Sequence, residues 1–234
     1  MRVLVTRPEP DGERTAAKLR ARGCEVMLAP LLRVDPVDAD LGGAWDVVAL
    51  TSVNAVRVLA GHPKLKTLLA MPAYAVGGRT TDAALAQGFV NVVSADGDAA
   101  DLVQVMKTHL RRGVRVLYLA GEDRSGNLAG DLASASIEVE TKVVYRAVAA
   151  SELPSDARDA LSAGQLDGVL HFSRRTAETY IGCAAAAGIS AKALAPVHYC
   201  LSQQVAEPLA AAGARFTRTA DRPTEAALIG LVKG

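Results

Sequence analysis

The chain has little cysteine, no excess of either charge and no long apolar run. Its three cysteines among 234 residues, Cys24, Cys183 and Cys200, lie far apart in apolar stretches. Neither a disulfide framework nor a thiolate metal site is therefore expected, and the thiols read as buried, as in a reducing compartment. Basic and acidic residues number 26 and 25, a net charge of +1. That balance argues against a broad nucleic-acid or membrane-surface footprint and leaves room for a local basic cleft. No apolar run is long enough for a membrane span, and "RVLVT" begins at residue 2 without a charged-then-apolar leader. A soluble, cytoplasmic protein is the expectation.

Glycine fingerprints are missing as well. "LAGEDRSGN" holds Gly121 and Gly126 without a following Lys-Ser/Thr pair, and no G-x-G-x-x-G follows any strand pattern. Both an ATPase-type phosphate loop and a dinucleotide site are disfavoured. The histidines His62, His109, His171 and His198 share no ligand spacing or acidic partner, and His171, near a strand end, reads as a structural histidine. There is no set of nucleophile, base and orienting group and no pair of carboxylates at a strand end. Chemistry, if any, depends on binding and positioning.

What the chain does have is a repeat. "RVLVT…AAKLRARGCEV" at 2–26 recurs as "RVLYL…AGDLASASIEV" at 115–139, an offset of 113. "DVVALTS" at 46–52 recurs as "DGVLHFS" at 167–173, offset 121, and "YAVGGRTTDAALAQG" at 74–88 as "YCLSQQVAEPLAAAG" at 199–213, offset 125. Slowly growing offsets are what a duplication with loop insertions leaves. Each segment reads as an apolar strand, a polar turn and an amphipathic helix, with Gly23, Gly88 and Gly213 where a left-handed cap is expected. Such alternation predicts an α/β chain of two related parallel-sheet domains, with ligands beyond the carboxyl ends of the strands.

The strand-to-helix turns carry the candidate binding residues. Ser52 and Asn54 open one helix, Arg79 and Thr80 a second, Ser173 with Arg174 and Arg175 a third, and Ser202 with Gln203 a fourth. Helix capping explains any one of them. Four at equivalent points favour a polyanionic ligand, because free N–H groups and the helix dipole attract carboxylates and phosphates. Arg124 is a further partner for an anion. Tyr145, in "TKVVYRA", corresponds to Leu32 in "APLLRV", so a phenol breaks the duplication there. A core tyrosine is the bland reading, and a proton donor or hydrogen-bonding group in a cleft that needs only one is the functional reading.

"VLVTRP", "LTSVNAV", "YAVGGRTTDAALAQG", "VLYLAGEDR", "EVETKVVYR", "HFS" and "RPTEAAL" together resemble the bacterial uroporphyrinogen-III synthase family over nearly the whole chain. The resemblance implies two α/β domains flanking a cleft and joined by a two-stranded linker. The first domain would take residues 1–30 and 150–234 and the second 37–142, with linkers 31–36 and 143–149. It implies that hydroxymethylbilane loses its terminal hydroxyl as water and closes with the last pyrrole inverted, without metal or cofactor. Tyr145 would assist loss of the hydroxyl. Ser52, Thr80 and Ser173 match polar positions of the family, and Arg7, in "VLVTRP", joins the substrate-binding set. Where many members read a Gly-x-x-Thr-like turn this chain has "LSQQVA", which shifts that contact to Ser202, Gln203 or backbone amides. The substrate's eight carboxylates suit helix starts, small hydroxyls and arginines. A monomer in transient contact with hydroxymethylbilane synthase is expected. A non-catalytic module binding a tetrapyrrole or other polyanion on the same fold is the alternative.

Overall fold

The computed structural model describes residues 1–124 and 126–232. Eleven strands occur among the described residues: β1 (Arg2–Val5), β2 (Glu25–Leu28), β3 (Leu32–Pro36), β4 (Val47–Leu50), β5 (Ala73–Ala75), β6 (Val92–Ser94), β7 (Arg115–Gly121), β8 (Glu138–Ala149), β9 (Gly168–His171), β10 (Val197–Cys200) and β11 (Thr217–Thr219). They form a five-stranded sheet, β11-β10-β9-β1-β2, and a six-stranded sheet, β3-β8-β7-β4-β5-β6. The chain falls into two compact units, residues 1–33 with 148–234 and residues 34–147. The expected linker segments are strands here: β3 and β8 are neighbours in the six-stranded sheet.

The repeat in the sequence is a repeat in sheet order. The run β11-β10-β9-β1-β2 of the first unit matches β6-β5-β4-β7-β8 of the second. Along the chain the second unit runs β4 to β8 without interruption, whereas the first runs β9, β10 and β11 at the carboxyl end and β1 and β2 at the amino end. One unit is thus a circular permutation of the other. The register follows suit: Val3 pairs with Gly168 and Val26, and its counterpart Val116 pairs with Val47 and Val139. Even a side-chain bond is duplicated, because Asp167 Oδ2 accepts from the Arg2 amide at 2.6 Å and Asp46 Oδ2 from the Arg115 amide at 2.8 Å.

Both faces of each sheet are buried, which accounts for strands that are apolar throughout. In the second unit Val48, Leu50, Leu117 and Leu119 enter one core, and Val47, Ala49, Val116 and Tyr118 enter the other. Leu4 and Val169 face one core of the first unit, with Val3, Val5 and Leu170 in the opposite one. The strand alternation of two residues therefore divides each strand between two helical layers. Gly23, Gly88 and Gly213 have φ of 83°, 109° and 99° after their helices, the left-handed conformation that glycine adopts without penalty.

Candidate active site

A cavity of about 620 Å³ lies in the second unit, where the carboxyl ends of β4 and β7 meet β8. Three helix starts reach it. Ser52 caps the helix Val53–Val58 by accepting from the Asn54 amide at 3.1 Å, and Asp98 caps Ala99–His109 in a reciprocal capping box with Asp101. Asn127 Oδ1 accepts from the Gly130 amide at 3.1 Å and caps Leu128–Ala133. Short polar side chains occupy these points because the first turn of a helix has unpaired N–H groups.

Tyr145 reaches the cavity through a break in the ladder. β7 and β8 pair regularly from Arg115/Glu138 to Ala120/Val143, and then Gly121 pairs with Tyr145, so Val144 is an extra residue in a bulge. The Glu122 amide donates to the Tyr145 carbonyl at 2.9 Å and fixes the backbone beyond the bulge. The Tyr145 ring then lies against Gly121, where a Cβ would come within 2.6 Å of its Cζ and 2.8 Å of its hydroxyl oxygen. Only a residue without a side chain leaves the phenol this place.

A second phenol lines the same cavity. Tyr118, 6% exposed, hydrogen-bonds through its hydroxyl to Thr51 Oγ1 at 2.9 Å. Tyr118 and Thr51 are not among the residues that the sequence singles out, and Gly121 is noted there only as part of a glycine pattern. A signal exists for the first: Tyr118 corresponds to Val5 at the same offset of 113, the asymmetry that draws attention to Tyr145. Arg124 lines the cavity with its guanidinium folded toward the Gly121 and Glu122 carbonyls, both at 3.5 Å. Three carboxylates share the lining, those of Asp98, Asp123 and Asp131. The expectation of a cavity lined chiefly by anion-receiving groups needs correction for this unit, since fixed negative charge exceeds positive there.

The remaining candidates lie elsewhere. Asn54 Oδ1 accepts from Arg57 at 3.2 Å, Arg79 is exposed, and Thr80 is buried on the helix Gly78–Gln87; none lines the cavity. In the first unit Ser173 caps the helix Arg174–Ala186 in a box with Thr176, and Ser202 caps Gln203–Ala211 without a side-chain bond, leaving Gln203 exposed. Arg174 pairs with Glu178 at 2.8 Å and Glu207 at 3.0 Å. Arg7, expected to bind substrate, is buried and tied to its own unit: it meets Glu225 at 3.0 Å and Asp11 at 3.4 Å, and its guanidinium stacks 4.6 Å from the Phe172 ring centroid. These partners give it an architectural part. Among the described residues no helix is long and apolar enough to cross a membrane.

A duplicated parallel α/β chain with a strand-end cavity holding two phenols and several capped helix starts is the design of an enzyme acting on a small, polar organic molecule. A family model described as uroporphyrinogen-III synthase HemD matches residues 13–230. The chain therefore belongs to the uroporphyrinogen-III synthase family, cyclising lyases of heme biosynthesis whose substrate is hydroxymethylbilane. Its fold is similar to the crystal structure of the uroporphyrinogen-III synthetase from Helicobacter pylori 26695, with TM-score 0.69, 19% identity and cover of 99% of this chain and 98% of that one. A selenomethionine mutant of the synthase from Thermus thermophilus gives 0.54 at 18% identity, over 99% and 97%. A search of curated proteins gives no match.

Proposed function

We propose that the reaction of this family is carried out here at the Tyr145 cavity, with the phenol assisting departure of the terminal hydroxyl of hydroxymethylbilane. The observation that carries this reading is the Gly121 and Tyr145 contact, in which a bulge and a bare backbone together hold one phenol at the end of the sheet. As the C–O bond breaks, the hydroxyl takes a proton from Tyr145 and leaves as water, and the proton released when the ring closes restores the phenol. The pyrrole left behind is electron-poor, and the carboxylates of Asp98, Asp123 and Asp131 favour positive charge and accept from pyrrole N–H groups. This gives the acidic lining a purpose that a purely anion-receiving cavity would not have.

The substrate's own carboxylates then belong to the helix starts and cations. Ser52 and Arg124 serve in the second unit, and the turns at Ser173 and Ser202–Gln203 serve in the first, in two domains with bounds near those of the compact units. Holding the last pyrrole so that it attacks through its substituted carbon is a matter of orientation, worth several kcal/mol in well-aligned reactions. The test is to give the protein freshly made hydroxymethylbilane and separate the oxidised products by chromatography. The type III isomer is expected; type I alone, the product of spontaneous closure, would refute the assignment.

A further inference from the structure

The hydroxyls of Thr51 and Tyr118 have no part in the chemistry proposed at Tyr145, although both residues line its cavity. The parallel ladder brings them together: Tyr118 on β7 pairs with Ala49 on β4, and Thr51 follows Ala49 by two positions. The Tyr118 ring is fixed in the core that holds Val47, Ala49 and Met106, and its hydroxyl is held 2.9 Å from Thr51 Oγ1. Thr51 is half-buried, and neither hydroxyl makes another hydrogen bond among the described residues.

The first unit has the same register without the hydroxyls. Val5 pairs there with Leu170 as Tyr118 pairs with Ala49. The counterparts of Tyr118 and Thr51 are Val5 and Phe172, and both of these belong to one apolar core. A sheet end of this design therefore packs without a polar pair. In the second unit two hydroxyls replace two apolar side chains together, and both of them face the cavity lining.

A phenol is the better donor and the poorer acceptor of the two kinds of hydroxyl, because its oxygen lone pairs are drawn into the ring. Tyr118 thus donates and Thr51 Oγ1 accepts. With the pair so arranged, the Thr51 O–H is turned away from Tyr118 and left to donate into the cavity. We infer that Tyr118 is a positioning residue, holding the Thr51 hydroxyl as a donor toward a carboxylate of hydroxymethylbilane. Carboxylates accept and do not donate when ionised, and hydrogen bonds to them are the strong, charge-assisted kind. The inference rests on the Tyr145 cavity being the substrate site, and adds to it a residue that acts through another.

KM and kcat are measured for type III formation from hydroxymethylbilane, and affinity for the product, uroporphyrinogen III, by calorimetry under nitrogen. Thr51→Val is expected to raise KM and weaken product binding about tenfold with kcat little changed, as for one charge-assisted hydrogen bond made in ground and transition states alike. Tyr118→Phe, which keeps the ring, is expected to have the same effect several-fold. The double variant is expected to be no worse than Thr51→Val, because Tyr118 acts only through Thr51. Thr51→Ser, which keeps the hydroxyl, is expected to retain most of the affinity. Unchanged KM and product affinity in Thr51→Val or in Tyr118→Phe, or effects of the two that multiply in the double variant, would overturn the inference. A wild type that binds the product but forms no type III isomer would refute the proposed function alone, and the product affinities would still decide the role of Tyr118; no product binding at all would overturn both.

Discussion

Acid is expected to weaken this protein at one pair of side chains in the first unit. His171 on β9 and His198 on β10 are fully buried on adjacent strands, with Nε2 of the first 3.1 Å from Nδ1 of the second. One proton serves that bond, and the outer nitrogens, His171 Nδ1 and His198 Nε2, make no hydrogen bond of ordinary geometry. Tyr180 closes over both rings edge-on at 5.2 Å and 5.8 Å and turns its own hydroxyl away, to the Ala193 carbonyl at 2.8 Å. Burial lowers the His198 pKa from 6.5 to about 4 against a slight opposing pull from the Leu194 carbonyl. Burial, and then the neighbouring His198, push His171 well below its ordinary value.

The sign follows from linkage. A base whose pKa is depressed in the folded state binds protons more readily when unfolded, so stability is full above pH 6.5 and falls as the pH drops toward about 4. At 1.36 kcal/mol per pH unit, His198 alone contributes a loss of about 3 kcal/mol across that window, and His171 adds to it. Against a typical total of about 5–15 kcal/mol this is a large fraction. Urea unfolding followed by circular dichroism at steps between pH 7 and pH 4, on the wild type and on His171→Leu/His198→Phe, isolates the effect from that of the carboxylates. Replacing both partners by apolar groups is close to neutral at pH 7, whereas removing one would strand the other. The double variant is expected to lose stability less steeply, by at least about 3 kcal/mol over the window; parallel curves would refute the argument.

Tyr145→Phe is expected to slow formation of the type III isomer by about a hundredfold or more, as for loss of a positioned proton donor, while thermal stability changes little; chromatographic rate assays decide. Gly121→Ala does not strain the backbone, since Gly121 is not among the glycines with positive φ, and it acts by displacing the Tyr145 ring. A displacement near 1 Å can cost about a hundredfold, so a rate near that of the wild type would show that the contact does not set the ring's position. Burial would raise the Glu225 pKa, but hydrogen bonds from Lys18 and Thr15 and the charge of Arg7 hold it below the ordinary carboxylate range. Glu225→Ala leaves Arg7 short of a partner and is expected to cost about 1–3 kcal/mol in urea unfolding at pH 7, a difference that shrinks as the pH falls and the wild-type carboxyl is protonated.

Much of the fold is legible in the sequence because strand, turn and helix are local patterns, and because the duplication prints each of them twice. The capping serines at 52, 173 and 202 follow from chemistry within three residues of each position. What the sequence hides depends on register between distant strands. His171 and His198 have no acidic partner in sequence, yet each is the other's partner, 27 positions away and brought opposite by the β9–β10 ladder. Arg7 is placed with the substrate-binding residues because its partner Glu225 lies 218 positions along the chain. The bulge that sets Tyr145 beside Gly121 is a one-residue slip in pairing, invisible without the ladder.

The permuted duplication turns these particulars into an argument about where function lies. Positions at which the copies agree, such as Val3 and Val116 or Asp167 and Asp46, maintain sheet register and recur with the same partners. Around the strand-end cavity the copies disagree: Tyr145 stands for Leu32, Tyr118 for Val5 and Gly121 for Pro8. Two phenols and the glycine that makes room for one of them all fall in the same unit and at the same end of its sheet. Folding alone asks for nothing there that the other copy does not manage with Leu32, Val5 and Pro8. The differences are therefore better explained by chemistry than by folding, and they favour the second unit as the seat of the proton donation proposed for Tyr145.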